Sequence, residues 1–364
     1  MSLRGAFRGA VYRVLLQGLT ESLVPMASFL AKRITLMILT MLCASFVVFA
    51  VSEFTPGSVA RRTLGPYATQ QQVDLLSKRM HADEPLMVRY GNWLGVLVGA
   101  KPDPLEDPGN GLGFSDPRGS QYFGNFGYST LYKVPVNDVM WKRLGHTAVL
   151  AGIAFALIVP LSMLFGILSG LKEGGALDRV LSVICITFTS IPEFASGVFL
   201  VTLFVILWPV LPGTSPLDGS EGGHWSVASQ LVLPVAVLVL YDFGYVARMI
   251  RVSMIGVMEK PYIRTAILKG LSPRQVILGH ALRNAMIAPF TVLLLQINFL
   301  IGGVVVTEMV FAYPGFGRML LDASMFGDIA TLEAATLVTV FVAVLTQFLG
   351  DLGYMLLNPR IRVR

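Results

Sequence analysis

Few residues in this chain are of a type and spacing that could do chemistry. The four histidines, His81, His146, His224 and His280, are scattered, and no HExxH or CxxC spacing occurs, so no metal site is expected. No serine sits in a GxSxG elbow and no GxxxxGK[ST] run is present, so neither acyl transfer nor a phosphate cradle is expected of this polypeptide. Cys43 and Cys185 both lie inside apolar runs, which argues against a structural disulfide. An enzyme reading is left without catalytic residues. Two features remain. One is the basic run EKPYIRTAILKGLSPRQVILGHALRN at residues 259–284, suited to docking against another surface. The other is a set of isolated polar groups in apolar sequence, Glu193, Gln296 and Asn298, suited to meeting a cationic or hydrogen-bonding group away from water.

The elements that hold these groups follow from composition. Of 364 residues, 54% are hydrophobic and only 14% charged, against about 25% charged in an ordinary soluble domain. So few charges cannot solvate a globular surface of that size. Low charge, aperiodic glycine and two cysteines also exclude disorder, a collagen-like fibre and a disulfide scaffold. A polytopic, all-helical membrane protein is the class that is left. A helix needs about 20 apolar residues to cross about 30 Å of hydrocarbon. By that measure six spans are expected, at 34–52, 145–171, 180–210, 226–247, 284–307 and 334–357. If the third is one helix, it is long and kinked at Pro192. Glu193, Asp242 and Asp351 are the charges that fall clearly inside these spans. Asp242 and Tyr245, near the inner end of the fourth, read as boundary residues. Gly166 and Gly170 form a GxxxG pattern, a sign of close helix packing.

The first apolar run is preceded by 33 residues, too many for a secretory signal, whose apolar core lies close to the N-terminus. The preceding segment carries Arg4, Arg8, Arg13 and Glu21 and reads either as an amphipathic surface helix or as disordered chain. Orientation follows from Lys and Arg in short loops. Lys32, Arg33, Lys172, Arg179, seven basic residues between Arg248 and Arg283, and the closing Arg360, Arg362 and Arg364 lie on one side. Both termini and the 249–284 loop are therefore expected in the cytoplasm. The expected division is a cytoplasmic extension 1–29, a first span 30–52, an extracytoplasmic segment 53–143, a core of five spans 144–357 and a cytoplasmic tail 358–364. Within the external segment, 69–97 suits one or two helices, and 101–119, dense in Pro, Gly and Asp, reads as an extended surface loop.

In the basic loop, Pro261 suits a first helical position, 262–269 can make two turns, and Gly270 with Leu271 fit a C-terminal stop. Ser272 then Pro273 read as the cap and first residue of a second helix. A two-turn helix is far below the roughly 12–15 residues at which isolated helices become marginal in water, so it must pack against something. Its excess of positive charge fits either attraction to anionic lipid or docking into a cytoplasmic partner.

The run YIRTAILKGLSPRQVILGHALRNAMIAP resembles the signature cytoplasmic loop of bacterial ABC importer permeases, in the version opening on Arg-Thr-Ala. The likeness is strongest to the oligopeptide, dipeptide and nickel permease branch. It continues through LLQINFLIGGVVVTEMVFAYPGFGRMLLD and the tail DLGYMLLNPRIR, with FTPG at 54–57 and EPLMVRY at 84–90 upstream. About 310 residues are covered. The chain departs from the family pattern in its first 29 residues, in the 101–119 stretch, and in Ile287-Ala288-Pro289, where the proline is displaced by one.

The resemblance implies a type I permease of six transmembrane helices. Such a subunit pairs with a second homologous permease, sits on two ATP-binding subunits that carry ATP and Mg, and receives solute from an extracytoplasmic substrate-binding protein. The chain itself would bind no cofactor, and beyond membrane lipid no other partner, nucleic acid included, is expected. Tyr262, Arg264, Thr265, Ala266, Lys269, Gly270 and Leu271 would couple it to an ATPase. Glu193, Gln296 and Asn298 would line the pathway or bond neighbouring helices; Pro314, Gly315 and Gly317 would gate it externally, contact the binding protein or form a plain turn. Peptides or peptide-like solutes are the implied cargo, with opines, oligosaccharides, glutathione or nickel chelates as alternatives. A secondary transporter and a membrane scaffold are the competing classes.

Overall fold

The computed structural model describes residues 31–53, 59–65, 67–79, 81, 83–103, 116–119, 121–217, 225–302 and 304–357. The N-terminal extension 1–29, the tail 358–364, residues 54–57, most of the 101–119 stretch, His224 and Gly303 lie outside the described residues. Among the described residues no strand forms, only one isolated bridge between Tyr128 and Pro135. In chain order the helices are α1 (Ala31–Glu53), α2 (Val59–Leu64), α3 (Gln70–Arg79), α4 (Leu86–Leu97), α5 (Val136–Leu171), α6 (Ala176–Ser190), α7 (Glu193–Leu207) and α8 (Val227–Met258). Then come α9 (Pro261–Leu268), α10 (helical residues 273–285), α11 (Ile287–Gly302), α12 (Val305–Val310), α13 (Phe316–Phe326) and α14 (Ile329–Leu357).

Among the described residues, five helical stretches are long and apolar enough to cross a membrane: Ala31–Glu53, Val136–Leu171, Val227–Met258, Ile287–Val310 and Ile329–Gly353. The third expected span is not one kinked helix. It is the pair α6 and α7, which meet at 95°. The cause is local. Ile191 is driven to an extended conformation (φ −84°, ψ 125°) by Pro192, which cannot donate to the helix behind it and caps the helix ahead. The fourth span outruns its apolar sequence. It starts on Ser226, whose side chain accepts from Ser229 N–H at 3.2 Å, and continues to Met258. Arg248 and Arg251 therefore belong to the helix rather than to the loop.

The α8 helix lies along α5 more extensively than any other pair. Gly166 and Gly170 make this possible: a Cβ on Gly166 would stand 2.6 Å from the Ala247 carbonyl and one on Gly170 2.7 Å from Met254 Cβ. The largest core runs from Leu150, Ala154 and Ile158 of α5 through Phe243 and Ile250 of α8 to Ile263 of α9, Val276 of α10 and Leu300 of α11. A second core joins Val136 and Met140 to Phe316, Met319 and Ala335. Away from these, Val180, Val183 and Ile186 of α6 and Phe194, Val198 and Phe199 of α7 are exposed, as spans that meet lipid or another subunit require.

The segment after α1 folds back on it. Tyr90 and Trp93 of α4 pack on Phe49 with ring centroids 5.7 Å apart, and Tyr90 Oη lies 2.6 Å from Ser45 Oγ. Arg89 pairs with Glu53 at the end of α1.

Candidate functional site

The α9 helix is built as the sequence proposes. Lys260 is extended at the N-cap, Pro261 takes the first helical position, and Thr265 Oγ1 donates back to the Pro261 carbonyl at 3.0 Å. At the other end Gly270 adopts φ +77°. Its N–H reaches the Ile267 carbonyl at 2.9 Å, and the Leu271 N–H reaches that of Ala266 at 3.4 Å. Those two bonds define a Schellman stop, which glycine enters without the cost a Cβ would bring. Ser272 and Gln275 then form a reciprocal capping box that starts α10 at once.

Two residues tie this helix to the body, Ile263 and Ala266, both buried in the main core. The other faces are open. Tyr262, Arg264, Thr265, Lys269 and Gly270 are exposed, and so are Ile267 and Leu268, the latter 80% exposed. Of the seven residues singled out in the sequence, Ala266 and the half-buried Leu271 turn inward and hold the element, while five face out. The exposed apolar trio Tyr262, Ile267 and Leu268 went unnoticed apart from Tyr262. Its signal was available: on a two-turn helix, only one of three apolar faces can meet the core.

A single ion pair stiffens the helix ends behind α9. Arg251 Nε and Nη2 meet the Asp178 carboxylate at 2.6 and 2.7 Å, the bidentate geometry of the strongest pairs. Asp178 also accepts from Ser169 and, at 2.9 Å, from the Gly174 N–H. One carboxylate thus joins the end of α5, the following turn, the start of α6 and the last turns of α8.

The polar residues expected along a pathway are engaged within the fold, and Glu193 and Gln296 both lie near Asp242 of α8. Glu193, at the start of α7, accepts from the Thr307 N–H at 3.1 Å and from its hydroxyl, tying α7 to α12. Gln296 is buried and bonds Asp242 of α8. Asn298 is half-buried, two residues round α11 from Gln296. Asp242 corrects the boundary assignment. It sits in the middle of α8, is 4% exposed, and its Oδ2 has no hydrogen-bond partner among the described residues.

Pro314, Gly315 and Gly317 surround a carboxylate. Glu308 is fully buried; Thr147 Oγ1 donates to its Oε1 at 2.5 Å and the Arg318 N–H to its Oε2 at 2.7 Å. Thr147 in turn accepts from the Phe316 N–H at 2.7 Å. His146 Nδ1 lies 3.0 Å from the Pro314 carbonyl, and Tyr313 Oη donates to the His146 carbonyl at 2.7 Å. A Cβ on Gly315 would overlap the Glu308 carboxyl, so glycine is required there by space. Gly315 and Gly317 are buried and Pro314 half-buried. Glu308 lies just past the fifth expected span, 284–307, and is not among the residues singled out in the sequence. An acid next to Thr307 in apolar sequence was the missed sign, since such a group must find donors inside the protein. Among the described residues, no group of three or more His, Cys, Asp or Glu is placed to hold a metal.

Residues 162–363 match the family described as binding-protein-dependent transport system inner membrane component. Residues 26–151 match the N-terminal module of the same family. A probable peptide ABC transporter permease protein of Sinorhizobium fredii is 31% identical over 93% of this chain and all of its own length. The glutathione transport system permease protein of Shigella flexneri is 30% identical over 93% of this chain and all of its own. Among solved structures, an inward-facing MetNI methionine ABC transporter matches with a TM-score of 0.47 and 19% identity, over 61% of this chain and 96% of that one.

Proposed function

The chain belongs to the family of binding-protein-dependent transport system inner membrane components, and from that premise we propose that it passes peptides or peptide-like solutes inward, using α9 as its contact with a cytoplasmic ATPase. It is a multi-pass permease subunit of the inner membrane. The cargo rests on its relatives, which are peptide and glutathione permeases by name. Both termini and the α9 turn lie in the cytoplasm in this reading. A second permease completes the pathway, two ATPase subunits hold ATP and Mg, and an extracytoplasmic binding protein delivers solute; the chain itself catalyses nothing.

The observation that carries the proposal is the exposure of α9. A helix too short to stand alone leaves Tyr262, Ile267 and Leu268 in the open on an element that also exposes Lys260, Arg264 and Lys269. Apolar surface ringed by cations fits a groove with an acidic rim on a partner. Force applied to α9 has a route onward. Ile263 and Ala266 transmit it to the core, and the Asp178–Arg251 pair keeps α5, α6 and α8 moving together. Closing of the ATPases on ATP then tilts these helices, and hydrolysis resets them. Glu193, Gln296 and Asn298 flank the pathway in this scheme, and Pro314, Gly315 and Gly317 set its outer turn from within the fold.

The test is co-purification with the ATPases encoded beside it. Leu268→Asp is expected to abolish ATPase capture and solute uptake while the chain still inserts in the membrane. Uptake at the unaltered rate would overturn the proposal.

A further inference from the structure

Away from α9, a cavity of about 430 Å³ opens where the Glu53 end of α1, α4 and the start of α14 meet the loops at 101–103 and 125–130. That volume falls within the range of small-molecule sites, about 300–1,000 Å³. Phe49, Trp93, Phe126 and Ile329 give it an apolar and aromatic wall. Four carboxylates, two cations and His81 also line it. Most of these charges are already engaged. Glu53 pairs with Arg89, and Lys101 Nζ donates to Asn92 Oδ1 at 2.6 Å. Asp328 accepts from Ser129 Oγ at 2.5 Å and Thr331 Oγ1 at 2.8 Å.

Glu333 is different. It is 6% exposed and sits on the cavity wall. Its partners are Ser52 Oγ at 2.5 Å and the Trp93 indole, both neutral, and the charge that acts on it is another carboxylate, Glu53. A buried carboxylate held by neutral donors and flanked by Phe49 and Trp93 is the donor set that recognises an ammonium group, through ion pairing and the faces of aromatic rings. The apolar wall beside it fits an apolar body attached to that group.

We propose that this cavity binds a primary ammonium carried on an apolar or aromatic body, with Glu333 as the counter-charge and Phe49 and Trp93 as the ring wall. The amino terminus of a small peptide and the headgroup of an aminophospholipid both present that chemistry. The site is separate from α9 and does not depend on how the chain is coupled to ATP.

The test uses the purified complex in lipid-depleted detergent, with 2-phenylethylamine as the probe and its N-acetyl derivative as the uncharged control. The amine is expected to raise the thermal midpoint and the amide to leave it unchanged. Glu333→Gln should weaken amine binding about tenfold or more. Val96→Trp, which places an indole in the cavity and leaves Glu333 unaltered, should abolish it, and it keeps the proposal testable if Glu333→Gln does not assemble. Nanodiscs of phosphatidylglycerol with and without phosphatidylethanolamine separate the sources: competition by the aminolipid assigns the site to the headgroup, and competition by dialanine alone assigns it to a peptide. Failure of the amine to bind, or equal binding to the unaltered chain and both variants, overturns the proposal.

Discussion

Two short turns of this protein each depend on a glycine and are opposite in surroundings. At 268–272 a glycine in the left-handed region ends α9, and a Cβ built on Gly270 would meet nothing within 4 Å. At 312–317 a glycine starts α13, and a Cβ built on Gly315 would fall on the Glu308 carboxyl. The first glycine is needed for its backbone angle, the second for its missing side chain. One turn leaves apolar residues open to a partner; the other closes over a buried acid. The contrast separates residues that make the fold from residues the fold displays. In the proposed function, coupling belongs with the displayed residues.

Gly315→Ala is the strongest way to test the buried half of that contrast. The added methyl has no free volume, so the variant should lose about 3 kcal/mol and accumulate poorly. Thermal unfolding of the purified complex measures it. Pairing the change with Glu308→Ala sharpens the point, because removing the carboxyl makes room for the methyl. The double variant should then be less damaged than the sum of the two singles. Simple additivity would show that Gly315 is needed for some other reason.

Next in size is the pair that braces the helices behind α9. Arg251→Met leaves Asp178 with Ser169 and the Gly174 N–H but no cation. A broken buried pair costs about 3–5 kcal/mol. Arg251 is 26% exposed at its side chain, and water reaching it brings the expected loss down to about 2 kcal/mol. Uptake should fall further than ATPase association, since docking survives when transmission fails. Equal losses of both would make the pair a plain structural brace.

Much of this was legible beforehand because hydrocarbon imposes length and apolarity on any span. The α9 boundaries, the Gly270 stop and the Ser272 cap were also legible, because each depends on residues within four positions. What stayed hidden depends on partners distant in sequence. Pro192 announces the break, but nothing beside it in sequence names α8 and α12, against which α7 then packs. Asp242 reads as a boundary residue, and Glu308 draws no notice, because nearby sequence does not reveal Gln296 or Thr147, which stand 54 and 161 positions away. The need for glycine at 315 is hidden for the same reason, since it comes from the Glu308 carboxyl packed against it.

Gly270→Ala turns to the exposed half. The methyl meets open space, so the cost is the left-handed backbone alone, about 1 kcal/mol. Thermal stability should drop by no more than that, whereas a loss comparable to Gly315→Ala would erase the distinction between the two turns.

The smallest expected effect on the fold is also the sharpest test of display. Leu268 is 80% exposed on a helix whose attachment rests on Ile263 and Ala266. Leu268→Ser should therefore change stability by less than about 0.5 kcal/mol. Its serine cannot replace the apolar contact that a partner groove would bury, worth about 1.5–3 kcal/mol for a full leucine. ATPase capture should weaken by roughly ten- to a hundredfold, read by titrating ATPase against the purified permease pair. Ile263→Ser is the matched contrast, because it opens the core and should unfold the α9 region itself. If Leu268→Ser were as destabilising as Ile263→Ser, the leucine would be part of the fold; if it left capture intact, the open face of α9 would not be the docking surface.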